Sequence, residues 1–254
     1  MGLSFDRIAD RYDTTRWYPD QVMEDILTVL KKNLSLDRPI LDAGVGTGRF
    51  AKPLQDSGFV VVGVDISGRM LEKARLKLTE NLLRADVTAL PFQDEVFGSA
   101  MSIHVLHLIS NWRLALREVS RVTTGNLVSV AFNKVESPAE ELRRFYDQTC
   151  ADLGYVVHHP GMREREMPKI FEPDDEVTIT IHEHPIDVRN IIADYSNRTY
   201  SNQWMVPDEI HLQAIEALQE RYEGVDQIIG RERISLLKWS ADRIWEFTSD
   251  ATAR

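Results

Sequence analysis

The stretch Pro39 to Ala51, "PILDAGVGTGRFA", is a short apolar run that breaks into three alternating glycines and then resumes in a helix-like pattern. An apolar run ending in such a turn predicts a buried strand whose C-terminal loop holds its backbone N–H groups open to a ligand. Glycine permits this because it takes positive φ and carries no Cβ. Outward from this turn the same alternation recurs. "FVVVGVDI" from Phe59 reads as a second strand, followed by a helix from Ser67 with Met70, Leu71, Ala74 and Leu78 inward. The strands "NLLRADV" from Asn81, "SAMSIHVL" from Ser99 and "NLVSVAF" from Asn126 follow, with a helix from about Asn111 turning Trp112, Ala115, Leu116 and Val119 inward. Two helices precede the first strand, one with Phe5, Ile8, Ala9 and Tyr12 on a face, the next starting at Pro19 with Val22, Ile26, Val29 and Leu30 inward. Nearly all-apolar strands alternating with helices predict a parallel sheet covered on both faces, an α/β, doubly wound architecture.

Past residue 133 the rhythm changes. "SPAEELRRFYDQTCADLG" opens on a capping box, Ser137 and Glu140, and closes on Gly154. A charged, proline-bearing loop from His158 leads to the strand "VTITIHEHPI", two further helical stretches, and "RISLLKWSADRIWEF", read as a last strand with an irregularity. The expected division is residues 1–133 for N-terminal helices and a cofactor-binding core, 134–175 for an inserted helical cap, and 176–254 for the rest of the sheet and acceptor-side helices. At 254 residues all three form one compact domain.

The net charge of -10 argues against tight contact with a nucleic-acid backbone and points to a small-molecule partner. No stretch approaches the roughly 20 apolar residues of a membrane span, and the charged start "MGLSFDRIADRYD" lacks the apolar segment of a secretory signal. The single cysteine, Cys150, suits a reducing compartment, so the expected location is cytoplasmic.

Two ligands compete for the glycine turn, and a tight turn with no ligand is a third reading. Gly46 to Ala51 matches the dinucleotide pattern GxGxxG/A, which implies NAD. That register runs the strand straight into Gly46 and places the Asp42 carboxylate inside it, at a large desolvation cost. If the strand ends near Asp42 instead, the acid stands at the mouth of the turn, where it repels a pyrophosphate and attracts a cation. S-adenosylmethionine meets that requirement, with an ammonium group, a sulfonium and no phosphate. Asp65 ends the second strand at a spacing suited to ribose hydroxyls, and Asp86 ends the third, where it can accept from an adenine amino group.

With these acids in place the sequence resembles the class I S-adenosylmethionine-dependent methyltransferases, especially the small members related to methyltransferase type 11. "ILDAGVGTGRF", "VVGVDIS", "ADVTALPFQDEVFGSA" and "HVLHLI" are similar to successive motifs of that family, and "FDRIADRYDTTR" to its N-terminal helix. The resemblance implies a mostly parallel, seven-stranded Rossmann-like sheet. It further implies that Asp42, Gly44 and Gly46 line the methionine end, Asp65 holds the ribose, Ile66 and Met70 flank the adenine, and Asp86 and Val87 read its edge. His104 would lie beneath the methionine, and Tyr12 and Arg16 would close over the cofactor.

Methyl transfer needs positioning first, and a base only where the acceptor is a hydroxyl or ammonium group. His104 and His107 are the candidates, a packed structural role being the alternative for each. Neither that pair nor His182 with His184 has an acid or cysteine at ligand spacing, so no metal is expected. Tyr146, His158, Arg198, Tyr200 and Trp204 lie in segments that would build an acceptor pocket, or would serve as cap core. The expected activity is methyl transfer to a small molecule, with an RNA methyltransferase or a non-catalytic S-adenosylmethionine-binding protein as alternatives.

Overall fold

The computed structural model describes Asp6, Ala9, Asp10 and residues 12–15, 18–78 and 81–250. Two helices, α1 (Tyr12–Thr15) and α2 (Asp20–Asn33), precede β1 (Ile40–Ala43). The alternation continues through α3 (Ala51–Asp56), β2 (Val61–Asp65), α4 (Gly68–Arg75), β3 (Leu82–Arg84), β4 (Phe97–Met101), α5 (Trp112–Val122) and β5 (Thr123–Lys134). Then come α6 (Pro138–Asp152), β6 (Asp175–Asp187), α7 (Val188–Ser196), α8 (Asp208–Arg221), β7 (Gln227–Ser240) and α9 (Ala241–Ser249).

The strands form one seven-stranded mixed sheet in the order β3-β2-β1-β4-β5-β7-β6. β1 runs parallel to β2 and β4, β2 to β3, and β4 to β5. Asp174 N–H donates to the Lys238 carbonyl, while Val188 N–H donates to that of Asp226, so β6 and β7 run antiparallel. Every residue of β1 and β4 is buried, which explains their unbroken apolar reading. Strand order reverses between β1 and β4, and a crevice opens outside the carboxyl ends of strands at such a point.

The chain divides into two compact units. The first comprises residues 1–131, 160–180 and 235–254, the second 132–159 and 181–234. Leu41, Val64, Phe97, Ala100, Leu116, Val119 and Trp239 centre the core of the first. Leu142, Tyr146, Cys150, Ile192, Tyr195 and Leu218 centre that of the second. Each valine, leucine, isoleucine or phenylalanine among them contributes about 1.5–3 kcal/mol through burial. In the second unit, α6 starts where the Ser137 side chain accepts from Glu140 N–H with Pro138 in the first turn, and the Glu140 carboxylate pairs with Arg143.

Four features differ from the sequence expectation. The segment 134–175 is not one insert: residues 134–159 go with the second unit, and 160–175 return to the first. The charged look of "REREMPKIF" hides Met167 and Phe171, which are four residues apart and both buried in the first core. "RISLLKWSADRIWEF" is the end of β7 followed by α9. Buried Ala241 and Ile244 with Phe247, stacked on Phe171 at 4.3 Å, repeat every three residues, which is helical spacing. β4 stops at Met101, well short of His104 and His107. Among the described residues, no helix is long and apolar enough to cross a membrane.

Candidate active site

The first unit holds a cavity of about 840 Å³, counting its open mouth, at the carboxyl ends of β1, β2 and β4. Its floor is the glycine turn. Gly44 and Val45 N–H both donate to the Val64 carbonyl, at 2.8 and 2.9 Å, so the turn is pinned to the end of β2. Gly44 sits at φ +95°, and a Cβ there would lie 2.2 Å from the Val105 side chain, so only glycine fits.

Asp65, the last residue of β2, ties the turn to the next helix. One carboxylate oxygen accepts from Gly46 N–H at 2.9 Å, the other from Ser67 N–H at 2.8 Å. Ser67 in turn caps α4 by accepting from Met70 N–H, and its hydroxyl donates to Asp6. Burial pushes the Asp65 carboxyl up, against the pull of the Ser67 and Gly46 N–H groups. Asp86, after β3, accepts from both the N–H and the hydroxyl of Thr88 through one oxygen, leaving the other for a ligand.

Tyr12, Gly44, Gly46, Asp65, Ile66, Met70, Asp86, Val87 and His104 all line the cavity. Arg16 lies outside the described residues. Asp42 is placed differently from the sequence expectation. It sits inside β1, paired with Gly63 and Met101, only 5% exposed and not among the lining residues. Burial, and then the neighbouring Asp65 charge, push its carboxyl up to about 8. The strand thus runs past the acid, so Asp42 does not stand at the mouth of the turn and its position gives no ground against NAD. A different observation supplies that ground. Among the described residues, the cavity lining contains two carboxylates, Asp65 and Asp86, and no lysine or arginine, a poor setting for a pyrophosphate and a good one for a cation.

Sequence reasoning missed Thr88, Ile103, Val105 and the run Leu108 to Asn111, which also line the cavity. Reading "SAMSIHVL" as continuous strand concealed Ile103 and Val105. The chain leaves the sheet after Met101, turns at His104 with φ +62°, and lays residues 103–105 and 108–111 along the wall. His104 faces the cavity, but His107 is not among the lining residues. The His107 Nδ1 atom lies 3.8 Å from a carboxylate oxygen of Glu164, a buried acid that charged "REREMPK" gave no reason to single out. Burial pushes the Glu164 carboxyl up, but the His107 interaction and the His107 and His104 charges outweigh it and hold it down at about 2.

The acceptor-side candidates all lie in the second unit, and none lines this cavity. Tyr146 is wholly buried, its hydroxyl 2.7 Å from His211 Nδ1. The Arg198 guanidinium donates to the carbonyls of Gln203 and Val206 and pairs with Asp208, while Trp204 Nε1 donates to the Arg198 carbonyl. Tyr200 N–H donates to the Gln203 side chain, and His158 Nδ1 lies 3.0 Å from the Val156 carbonyl. These contacts are internal to that unit. His182 and His184 stack at 4.8 Å, and no group of three or more His, Cys, Asp or Glu among the described residues is placed to hold a metal.

Exposed ion pairs hold Asp10 against α4 and Asp13 against the turn after it: Asp10 meets Arg69 and Lys73, and Asp13 meets Lys77. Asp13 also accepts from the Thr47 hydroxyl within the glycine turn. Tyr12, between these two acids, is thereby held at the cavity wall.

Comparison with known proteins agrees with this geometry. Residues 41–126 match the methyltransferase domain family. Over 192 residues the chain is 30% identical to YodH, an uncharacterized methyltransferase of Bacillus subtilis, covering 67% of this chain and 82% of that protein. Over 124 residues it is 35% identical to the malonyl-[acyl-carrier protein] O-methyltransferase of Erwinia pyrifoliae, covering 48% of this chain and only 47% of that protein. Among solved structures, the YcgJ protein of Bacillus subtilis superposes with a TM-score of 0.55 at 21% identity, covering 86% of this chain and 98% of that one, a likeness of fold.

Proposed function

The chain belongs to the S-adenosylmethionine-dependent methyltransferases, and from that premise we propose that it methylates a small-molecule acceptor, with the cofactor seated in the cavity of the first unit. The observation that carries this seating is Asp65. It braces the glycine turn through Gly46 N–H while lining a cavity whose described lining residues include no lysine or arginine.

The donor set suits the cofactor. Gly44 and Gly46 leave backbone where a Cβ would meet Val105 or Met70, so a ligand chain can lie close against the turn. The Asp65 carboxylate keeps lone pairs beyond its two backbone bonds, enough to accept from ribose hydroxyls. Ile66 and Met70 present apolar surface for the adenine, and Asp86 with Val87 would read its edge. When bound, S-adenosylmethionine supplies an electrophilic methyl group on a sulfonium. The residues of the first unit then act by alignment and by excluding water, and aligned reactants reach effective molarities of about 10⁵–10⁸ M. If the acceptor attacks through a hydroxyl or an ammonium nitrogen, His104, on the cavity wall, is placed to take its proton, whereas His107 is turned to Glu164.

The net charge of -10 supports a small acceptor over RNA, and so does the malonyl acceptor named for the Erwinia relative. A cytoplasmic setting fits a chain whose one cysteine is a buried thiol. Calorimetric titration with S-adenosylhomocysteine and with NAD, on the wild type and on Asp65→Ala, tests the seating. Binding of the homocysteine compound alone, weakened at least about tenfold by the substitution, is expected. Binding of NAD, or a substitution without effect, would refute it.

A further inference from the structure

Glu164 is a buried acid that no step above uses. Its Oε1 accepts from Val105 N–H at 2.9 Å and from Leu106 N–H at 3.3 Å, and its Oε2 faces His107. Next to it, Gly161 N–H donates to the His107 carbonyl and Met162 N–H to that of Leu106, at 3.0 and 3.2 Å. A Cβ on Gly161 would lie 2.1 Å from the Leu106 oxygen and 2.3 Å from that of Ile109, so the two backbones lie in direct contact. Residues 161–164 therefore strap the loop that forms the cavity wall.

What the strap holds is a costly conformation. His104 is a non-glycine residue at φ +62°, and such a residue persists only where its surroundings over-determine it. The next residue, Val105, fills the space above Gly44. Both the histidine and the valine face the cavity, and the N–H groups on either side of the valine, its own and that of Leu106, end on one carboxylate. A buried N–H left without a partner is expensive, so the carboxylate decides the path of this loop.

We infer that Glu164 is a positioning residue for the cofactor cavity, its carboxylate fixing the Val105 and Leu106 amides so that His104 and Val105 keep their places against the glycine turn. This rests on the cofactor seating proposed above.

The test compares wild type, Glu164→Ala, Glu164→Gln and Ile244→Ala, the last a core truncation in α9 that weakens the fold without touching the strap. S-adenosylhomocysteine affinity is measured by calorimetry at a temperature where circular dichroism shows each protein folded. Amide hydrogen exchange is read at Val105 and Leu106. In Glu164→Ala, affinity should fall at least tenfold and both amides should exchange at least tenfold faster. Glu164→Gln keeps an oxygen to accept from both amides and should bind within threefold of wild type. Ile244→Ala should bind like wild type despite its lower melting temperature. Unchanged affinity in Glu164→Ala, or equal losses in the Ala and Gln variants, overturns the inference. Should Glu164→Ala fail to fold, Glu164→Asp, which withdraws the carboxylate by one methylene, takes its place, and unchanged affinity there overturns it equally. Wild type that does not bind S-adenosylhomocysteine defeats the cofactor seating instead, and exchange at the two amides then still decides whether Glu164 holds the loop.

Discussion

Replacing Asp42 by asparagine should remove a pH dependence that the wild type carries. The carboxyl is buried in β1 beside Asp65, and its pKa is raised from 3.8 to about 8. A group with a raised folded pKa contributes stability that is fully present below its unfolded pKa and is lost as pH rises through the folded one. Here the window runs from about pH 4 to pH 8. At about 1.4 kcal/mol per pH unit, the loss between pH 4 and pH 7 is about 4 kcal/mol. Asparagine is close in shape to the neutral carboxyl and cannot ionise, so D42N should match wild type near pH 4 and exceed it increasingly toward pH 8. Urea denaturation of the ligand-free proteins at pH 4, 6, 7 and 8 measures the difference. The same reasoning ties Asp42 to the cofactor. A sulfonium and an ammonium brought near the Asp42–Asp65 pair favour ionisation, so binding of S-adenosylmethionine at pH 7 should release up to about one proton from wild type and none from D42N. Calorimetry in buffers of different ionisation enthalpy reads that release. Parallel stability profiles for the two proteins, with equal proton release, would show that Asp42 is already ionised in the free protein and would refute this reasoning.

Three further outcomes follow from the site. Asp65→Asn puts an amide N–H against that of Gly46 or Ser67, so it should destabilise the free protein by about 1–3 kcal/mol in denaturant titrations. It should also weaken S-adenosylhomocysteine binding by about 10- to 150-fold in calorimetry; an affinity within twofold of wild type would contradict the ribose assignment. Gly44→Ala combines a left-handed backbone with a Cβ inside Val105, so chemical denaturation should show a loss of about 3 kcal/mol, and less than about 1 kcal/mol would mean the loop gives way. Because exposed ion pairs hold Asp10 and Asp13 in place, raising salt from about 0.1 to 1 M should weaken cofactor binding about two- to fivefold, and Asp10→Asn, which removes two of the three pairs, should reduce that sensitivity. Equal salt effects in the two proteins would count against the latch.

The sequence by itself determined what depends on neighbours along the chain. The α/β alternation, the glycine turn, the Ser67 cap and the acids ending β2 and following β3 all follow from local rules: the period of apolar residues, positive φ at glycine, and the short reach of a capping side chain. Because parallel strands in register carry their loops to one edge, a correct strand order brings Asp65, Asp86 and His104 to one cavity without further information. Tertiary structure alone decided the rest. Whether Asp42 stands at the mouth of the turn or inside β1 depends on how far the pairing with Gly63 and Met101 extends, and no local pattern marks that limit. The strand signal of "SAMSIHVL" was overridden at His104 because the loop gains two hydrogen bonds from a carboxylate about sixty residues away. Glu164 itself, set among other charges, looks like any solvated residue until Met167 and Phe171 carry its segment into the first core. Burial turns an ordinary charged side chain into a structural one, and burial is a property of the packed chain.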